Sequence, residues 1–394
     1  MSYYVGNETG QTPGVIPNKW YEGSVLFLCA LYYWHFTGDA TYNEEVRVGL
    51  EWQSGDSDFL SSNWSQYMGN DDQSFWGVAA MTAAELNLTE YGQYSWLSLA
   101  QGVFNTQTQD PSNSGWDDTS CGGGVRWQQY NYMKGYTMKN AISNGLLFQI
   151  SARLYRYTND PDYATWAAKI WDWSNEYLIN NQTWEIADSV NTTQDCAAQA
   201  KWEAAIYGLA NKTLNEFFPT KYGDIEYEPT CDPFPTQCYD ANNLVFKGHT
   251  SSWLGFTALL VPQIYKDIMN RLQTTAKAAA AACTGPGQDG NQCGSAWYQS
   301  KYDGRTGMEE QISAADLFSV NMIPFIHSRP QKHLAPLTST TGGSSTSNPN
   351  AGMNDNTHKK QFAPVTTGDR VGAGILTATF VVGLIGGVSW LFTE

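Results

Sequence analysis

The sequence predicts an all-α domain over residues 1–330, closed as an (α/α)6 barrel, a toroid of helical hairpins. Three observations carry this. Apolar residues recur at helical spacing between Gly/Asn/Asp-rich loops, and period-two strand patterns are nearly absent. A weak internal repeat relates YYWHFTGDATYNEEV at 32–46 to LYRYTNDPDYATWAA at 154–168, with Tyr, Thr, a turn Asp and Tyr in register. About ten to twelve helices in about 330 residues suit ring closure of stacked helical pairs.

The first helix is expected at 22–37, where the apolar run SVLFLCALYYW is stopped by Thr37-Gly38-Asp39. Helices follow at 41–53, 73–87 and 92–108, then at 139–158, ended by Asn159-Asp160-Pro161, and at 162–179. The last runs are 196–217, 249–282 with a break near Pro262, and 309–325. The opening MSYYVGNETG has no charged stretch followed by an apolar one, so no signal peptide is visible, and it reads as the end of a truncated helix.

Acidic residues outnumber basic ones 38 to 22, for a net charge of −16, which leaves no basic face for nucleic acid. Sixteen Trp, 23 Tyr and 16 Phe are more flat faces with polar edges than a core needs, and such faces suit a neutral carbohydrate. Sequons at Asn7, Asn63, Asn87, Asn181, Asn191 and Asn211 point to N-glycosylation in the secretory route. Seven cysteines without a C-x-x-C pair fit disulfides in an oxidising compartment. Short loops suggest Cys231 with Cys238 and Cys283 with Cys293, which leaves Cys121 with Cys196; Cys29, in an apolar run, reads as a buried free thiol.

Residues 331–372 read as a Ser/Thr/Gly/Pro-rich linker and spacer, and 373–394 carry a 20-residue apolar stretch followed by Thr393 and Glu394 alone. With no basic residue to hold a cytoplasmic end, a cleaved glycosylphosphatidylinositol (GPI) signal fits better than a retained transmembrane helix. Small residues near Asn350 make it one attachment candidate, and Asn354 is the other. The expected location is therefore outside the cell, GPI-anchored at the plasma membrane or cell wall.

For chemistry, the chain has no P-loop, no dinucleotide fingerprint, no G-x-S-x-G and no H-E-x-x-H, and its five histidines are scattered. Neither a metal nor a cofactor is called for. Asp71 and Asp72, in GNDDQSFWG at 69–77, are the sharper signal. An Asp just before an apolar helix is a natural N-cap. Read functionally, adjacent residues with Cα atoms about 3.8 Å apart let their carboxyls diverge to about 5 Å, the separation of a retaining glycosidase, and short of the roughly 6.5–9.5 Å of an inverting one. Two carboxylates that close hold one proton between them, an acid and a base from identical side chains. Asp117 and Asp118 form a second pair beside the Gly122-Gly123-Gly124 run, where ligand and backbone can approach closely, with Trp116, Arg126 and Trp127 offering stacking and hydrogen bonds. Lys139 and Asn140 open a helix from which they could reach sugar hydroxyls, and His249 reads as a helix-start residue.

YEG at 21–23, GNDDQSFWG at 69–77, CGGGVRWQ at 121–128, KNAISNGLLFQISARLYRYT at 139–158 and FKG at 246–248 occur in the order of a known family. Over residues 1 to about 325 the chain resembles glycoside hydrolase family 76, the α-1,6-mannanases, and most closely its GPI-anchored fungal cell-wall group. The resemblance implies the (α/α)6 barrel, Asp71 as nucleophile and Asp72 as general acid/base. It places Asn70, Gln73, Trp116, Asp117, Gly123, Gly124, Arg126, Trp127, Lys139, Asn140, Tyr239 and Lys247 in substrate binding. It implies a donor in α-1,6-mannan or the mannose core of GPI glycans, and in the anchored group transfer to cell-wall glucan. Plain hydrolysis of mannan, and a wall protein that binds mannan without cleaving it, are the alternatives. Members of the group begin with a signal peptide and more of the first helix, which this sequence lacks.

Overall fold

The computed structural model describes residues 3–353, apart from 18, 62, 65–66, 110–114, 181, 194–195, 197–204, 234–242, 288–289 and 329–335. It is an (α/α)6-type barrel. The described helices are α1 Trp20–Thr37, α2 Asn43–Gln53, α3 Asn70–Glu85, α4 Trp96–Thr108, α5 Ala141–Thr158, α6 Pro161–Tyr177, α7 Ala205–Phe217, α8 Asn243–Leu260, α9 Tyr265–Ala282 and α10 Met308–Val320.

Side-chain chemistry sorts these helices into two rings. Helices α1 and α3 are buried along nearly their whole length, as helices apolar or small on all sides must be. Helix α1 packs between α3 and α10, α3 against α5, and α8 against α10, which builds the inner ring. Helices α2, α4, α6 and α9 lie against α1, α3, α5 and α8. In α2 and α6 only a stripe is buried, Val46, Gly49, Leu50 and Gln53 in the first and Tyr163, Ile170, Trp173 and Asn175 in the second.

The internal repeat is a repeated hairpin corner. Thr37 and Thr158 bond back to the carbonyls of Tyr33 (2.6 Å) and Leu154 (2.7 Å). Gly38 and Asn159 take the left-handed conformation that ends the helix, each N–H bonding four residues back at 2.8 Å. Asp39 and Asp160 then donate their N–H to the threonine hydroxyls at 3.1 and 3.2 Å. Thr-(Gly/Asn)-Asp is thus one stop signal used twice, where an inner helix turns out to its outer partner.

Predicted helices fall within a few residues of the observed ones where the chain is described, with three differences; of the helix expected at 196–217, residues 197–204 lie outside the described part and α7 is described from Ala205. Residues 3–17 are turns and extended chain, punctuated by Pro13, Pro17 and the left-handed Gly10 and Gly14, where a truncated helix is expected. Buried Tyr4 accepts the Gly14 N–H at 2.7 Å within the segment, and the segment is held on the barrel by the Tyr4 ring against Phe27 of α1 and by the Gln53 amide of α2 donating to the Pro13 carbonyl at 2.7 Å. Helix α8 begins at Asn243, six residues before the expected start. Helix α3 begins at Asn70, three residues before it, so the aspartate pair lies inside the helix.

The segment expected to be a linker lies along the barrel over residues 336–353. Leu337 N–H bonds the Glu85 carbonyl at the end of α3, and Ser339 the Tyr157 carbonyl at the end of α5. Along α4, Asn348 N–H bonds Gln101 (2.7 Å), and the Asn105 amide donates to the carbonyls of Pro349 (2.8 Å) and Ala351 (2.9 Å). Gly352 N–H reaches Ser57 at 2.9 Å, and Ala351 is buried. Asn105→Ala is expected to cost about 2 kcal/mol, because both carbonyls lose a buried donor, and to expose residues 346–353 to protease; limited proteolysis with mass analysis checks it.

Cys121 pairs with Cys196 and Cys283 with Cys293, as the sequence suggests. Cys231 is also disulfide-bonded, and Cys238, its expected partner, lies outside the described residues. Cys29 is a buried free thiol. Of the sequon residues, Asn7, Asn63, Asn87 and Asn211 are exposed, Asn191 is half-buried, and Asn181 lies outside the described residues. No described helix is long and apolar enough to cross a membrane; the apolar stretch at 373–392 and Asn354 lie outside the described part.

Candidate active site

The N-terminal ends of inner helices α1, α3, α5, α8 and α10 meet at one mouth of the barrel. Lys19, just before α1, joins Glu22 of α1 to Glu309 of α10 at 2.9 and 2.8 Å. The rings of Tyr21 (α1), Phe75 (α3) and Phe246 (α8) pack at centroid distances of 5.5 to 6.5 Å, a layer of aromatics at the level of the helix starts. A ladder of β1 Met138–Asn140 with β2 Ser189–Asn191, antiparallel with Lys139 opposite Val190, leads into α5, which Asn140 caps.

Asp71 and Asp72 occupy the first turn of α3, whose N-cap is Gly69. Asp72 Oδ2 accepts the Gly69 N–H at 2.6 Å, half of a capping box, and Asp71 Oδ1 accepts the Asp72 N–H at 3.1 Å. The Asn140 side chain, whose Oδ1 accepts the Ser143 N–H at 3.3 Å, lies close enough to Asp71 to favour its charged form. A side chain at residue 69 would displace the Asp71 carboxyl: a Cβ there would stand 2.2 Å from Asp71 Oδ1 and 3.1 Å from the Trp127 carbonyl and indole nitrogen. Trp127 thus lies against the start of α3, and its carbonyl accepts the Asn70 N–H at 2.8 Å.

Both carboxyls are partly open to the mouth, yet protein surrounds them closely, and both are pushed above the usual carboxylate range. For Asp71 burial acts first and the Asp72 charge second; for Asp72 burial is opposed by the Gly69 N–H. The pair therefore keeps a proton near neutral pH, with the stronger hold at Asp71. Burial first, then Glu22 and Asp72, push the Tyr21 phenol far up, so it stays protonated beside them. The first turn of α3 also offers the positive end of the helix dipole to whatever negative charge remains. Side by side, one protonated and one ionised carboxyl can protonate a leaving oxygen and attack the carbon it leaves.

The family model for glycosyl hydrolase family 76 matches residues 1–200 and 197–333. The chain belongs to glycosyl hydrolase family 76. It is 36% identical to the mannan endo-1,6-alpha-mannosidase DCW1 of Saccharomyces cerevisiae, over 99% of this chain and 90% of that protein. It is 34% identical to the mannan endo-1,6-alpha-mannosidase DFG5 of the same yeast, over 99% and 89%. The crystal structure of Dfg5 from Chaetomium thermophilum in complex with glucosamine superposes with a TM-score of 0.82 at 31% identity, covering 92% of this chain and 94% of that one. An α-1,6-mannanase of Salegentibacter sp. HEL1_6 shares the fold, with a TM-score of 0.60 at 17% identity, over 79% of this chain and 94% of that one.

Several residues that the family-76 resemblance places in substrate binding are engaged in holding the site together. Asn70 is buried and donates to the Arg126 carbonyl at 2.8 Å. Gln73 is buried, donating to Asp58 O (2.8 Å) and Thr106 (2.9 Å) and accepting from Gln107 (3.0 Å). Lys139 is fully buried and spends its ammonium on the carbonyls of Asp117 (2.8 Å), Ser120 (2.6 Å) and Gly123 and on the Asp117 carboxylate (3.3 Å). Arg126 binds Asp117 at 2.5 Å and Tyr136 O at 2.9 Å. Burial works to raise the Asp117 carboxyl, but the Thr119 hydroxyl, Lys139 and Arg126 outweigh it and hold it at about 2.

Gly123 and Gly124, expected to admit a ligand, take positive φ, and a Cβ would stand 2.6 Å from the Trp116 ring and 2.4 Å from that of Trp173. They seat the loop on tryptophans, and Trp116 itself packs edge-on against Trp166 and Trp173 while its indole N–H bonds Asp118. Lys247 is buried on Asp232 (2.9 Å) and Ser295 O (2.8 Å). Its neighbour Phe246 is the residue of FKG that stacks on Phe75. Tyr239 lies outside the described residues. Of the predicted set, Asp71, Asp72, Asn140 and Trp127 come together at the mouth.

His249 lies mid-helix in α8, with Nδ1 2.5 Å from Asp316 Oδ2 of α10 and both side chains fully buried. The sequence reading that it starts a helix is corrected: the pair ties two inner helices. Tyr21 and Phe246 were missed, although both lie within motifs already singled out, YEG and FKG. What hid them was orientation, since only the helix start fixes which residue of a motif faces the axis.

Proposed function

We propose that this chain is a secreted retaining glycosidase and transglycosidase acting on α-1,6-linked mannose. The observation that carries the reading is the adjacent Asp71–Asp72 pair in the first turn of an inner helix at the barrel mouth. Asp71 attacks the anomeric carbon while Asp72 gives its proton to the leaving oxygen; Asp72 then takes a proton from the incoming hydroxyl as that oxygen displaces Asp71. Adjacent carboxyls suit this double displacement, which returns the α configuration. The relatives that cover nearly the whole chain, named as mannan endo-1,6-alpha-mannosidases, support the linkage and the sugar.

In this reading the barrel works outside the cell, N-glycosylated at its sequons and GPI-anchored, with the mannose core of GPI glycans as donor and wall glucan as acceptor. Asn350 lies within the docked segment, between Pro349 and Ala351 carbonyls that Asn105 holds, which favours Asn354 as the attachment residue. NMR of a short α-1,6-mannoside with the protein and a β-glucan acceptor tests the proposal. The expected result is an α-mannosyl product formed first, as free sugar or on glucan. A β product formed first overturns retention, and absence of any turnover overturns the reaction itself.

A further inference from the structure

The loop 126–137 folds over the start of α3 and carries aromatic side chains that the catalytic reading leaves unused. Gln128 bridges to Gly69, the N-cap of the catalytic helix. Two and four residues further on, Tyr130 and Tyr132 stack face to face, centroids 5.4 Å apart and planes within 7°. Tyr67, two residues before Gly69, lies on the chain that this antiparallel bridge joins to the Tyr130 side of the loop. Tyr67 is 71% exposed and Tyr132 38%. Four residues separate Tyr67 from Asp71, so their Cα atoms are at most about 14 Å apart.

The loop is stiff. Met133 N–H bonds the Tyr130 carbonyl (3.0 Å) and Tyr136 N–H the Met133 carbonyl (3.2 Å), while the Arg126 guanidinium lies 4.4 Å from the centre of the Tyr136 ring. Exposed tyrosines on a mobile loop would lose entropy on binding; here the backbone is already ordered, and each ring has only two torsions to fix. A pyranose offers a flat face of C–H groups to such a ring and hydroxyls to its phenol edge.

We propose that Tyr67 and Tyr132, backed by Tyr130, form a stacking platform for the sugar rings of a neutral glycan chain that extends out of the mouth beyond the bond being cleaved. The platform makes the protein prefer long chains over short ones. This rests on the α-1,6-mannoside reading of the catalytic pair.

The test measures affinity by calorimetry for α-1,6-manno-oligosaccharides, from the disaccharide upward, on the Asp71→Asn protein, with Tyr67→Ala, Tyr132→Ala and Tyr67→Trp added singly. Turnover of the same series by the unsubstituted protein runs alongside. The expected result is that each alanine variant shrinks the advantage of long over short oligosaccharides about three- to ten-fold, the worth of one aromatic stacking contact, and that Tyr67→Trp keeps it. Turnover by the unsubstituted protein with an undiminished long-chain advantage in both alanine variants overturns the platform alone. Absence of both turnover and binding at every length overturns the α-1,6-mannoside reading and the platform with it. Melting temperatures unchanged by substitutions at these exposed positions keep misfolding out of the comparison.

Discussion

Asp71→Asn and Asp72→Asn are each expected to lower kcat on α-1,6-manno-oligosaccharides by about a thousand-fold or more while raising the melting temperature at pH 7. The activity loss follows from removing a nucleophile or a proton donor that acts only together with its neighbour, so the double variant should be little worse than either single one. The stability gain follows from the pair's environment. Both carboxyls have folded-state values raised above the ordinary range. Such a group contributes its stability in full below the unfolded value of about 4 and loses it as pH rises through the folded value. At neutral pH the barrel therefore carries the cost of crowding negative charge into a desolvated mouth, and a neutral asparagine relieves it. Calorimetric melting at pH 4 and pH 7 checks this: the gain should shrink toward the lower pH.

The order of roles within the pair is open to a separate reading. With a mannoside bearing a good leaving group and azide as external nucleophile, Asp72→Ala still forms the covalent intermediate and should release an α-mannosyl azide. Asp71→Ala lacks the nucleophile, so azide attacks directly and should give the β-azide. Exchanged products would assign attack to Asp72, the order suggested by the stronger proton hold at Asp71 in the free pair. Should the expected products appear, binding of glycan must move that proton to Asp72 before bond cleavage begins.

What the sequence made legible here was whatever local chemistry decides. Thr37-Gly38-Asp39 and Thr158-Asn159-Asp160 stop helices through bonds within six residues, so the hairpin repeat could be read directly. The start of α3 could not, because Gly69 caps with its backbone and with Asp72 from inside the helix, and no Ser or Thr marks the boundary. The same gap misdirected the loop 116–127. Glycines, tryptophans and charges in that spacing suit a ligand as well as an interior, and only the placement of α6 puts Trp173 against Gly124 and turns the loop inward. The docking of residues 336–353, within the linker expected at 331–372, was hidden for a related reason. Small hydroxylated residues have no apolar period, yet α4 presents Gln101 and Asn105, side chains that bind a backbone of any sequence.

Lys139→Met is expected to lower stability by about 3 kcal/mol and melting by several degrees, and to weaken glycan binding although Lys139 is fully buried. Its ammonium is the only described side-chain donor to three carbonyls of the loop, those of Asp117, Ser120 and Gly123. Methionine fills the space and removes that side-chain donor, and the Ser120 oxygen keeps the Gly123 N–H at 3.4 Å. Asp117 keeps Arg126, so the ionic part of the loss is partial; the backbone contacts dominate. Burial lowers the Lys139 ammonium to about 8 against the pull of Asp117, so its charge is itself held at some cost below that pH. Stability from this residue should therefore rise between pH 8 and the ordinary lysine value near 10.5, and the methionine variant should lack that rise. The loop reaches the catalytic helix through Arg126 O to Asn70 and Trp127 O to the Asn70 N–H. A loosened loop thus frees the start of α3 and with it the setting of Asp71 and Asp72. Lys139→Arg, which is bulkier, should not restore the fit, since a planar fork does not match three carbonyls converging on one point. Melting curves from pH 6 to pH 10, with KM for a long and a short oligosaccharide, separate the outcomes. An unchanged melting temperature would place the loop's support in the Cys121–Cys196 disulfide and Arg126 instead.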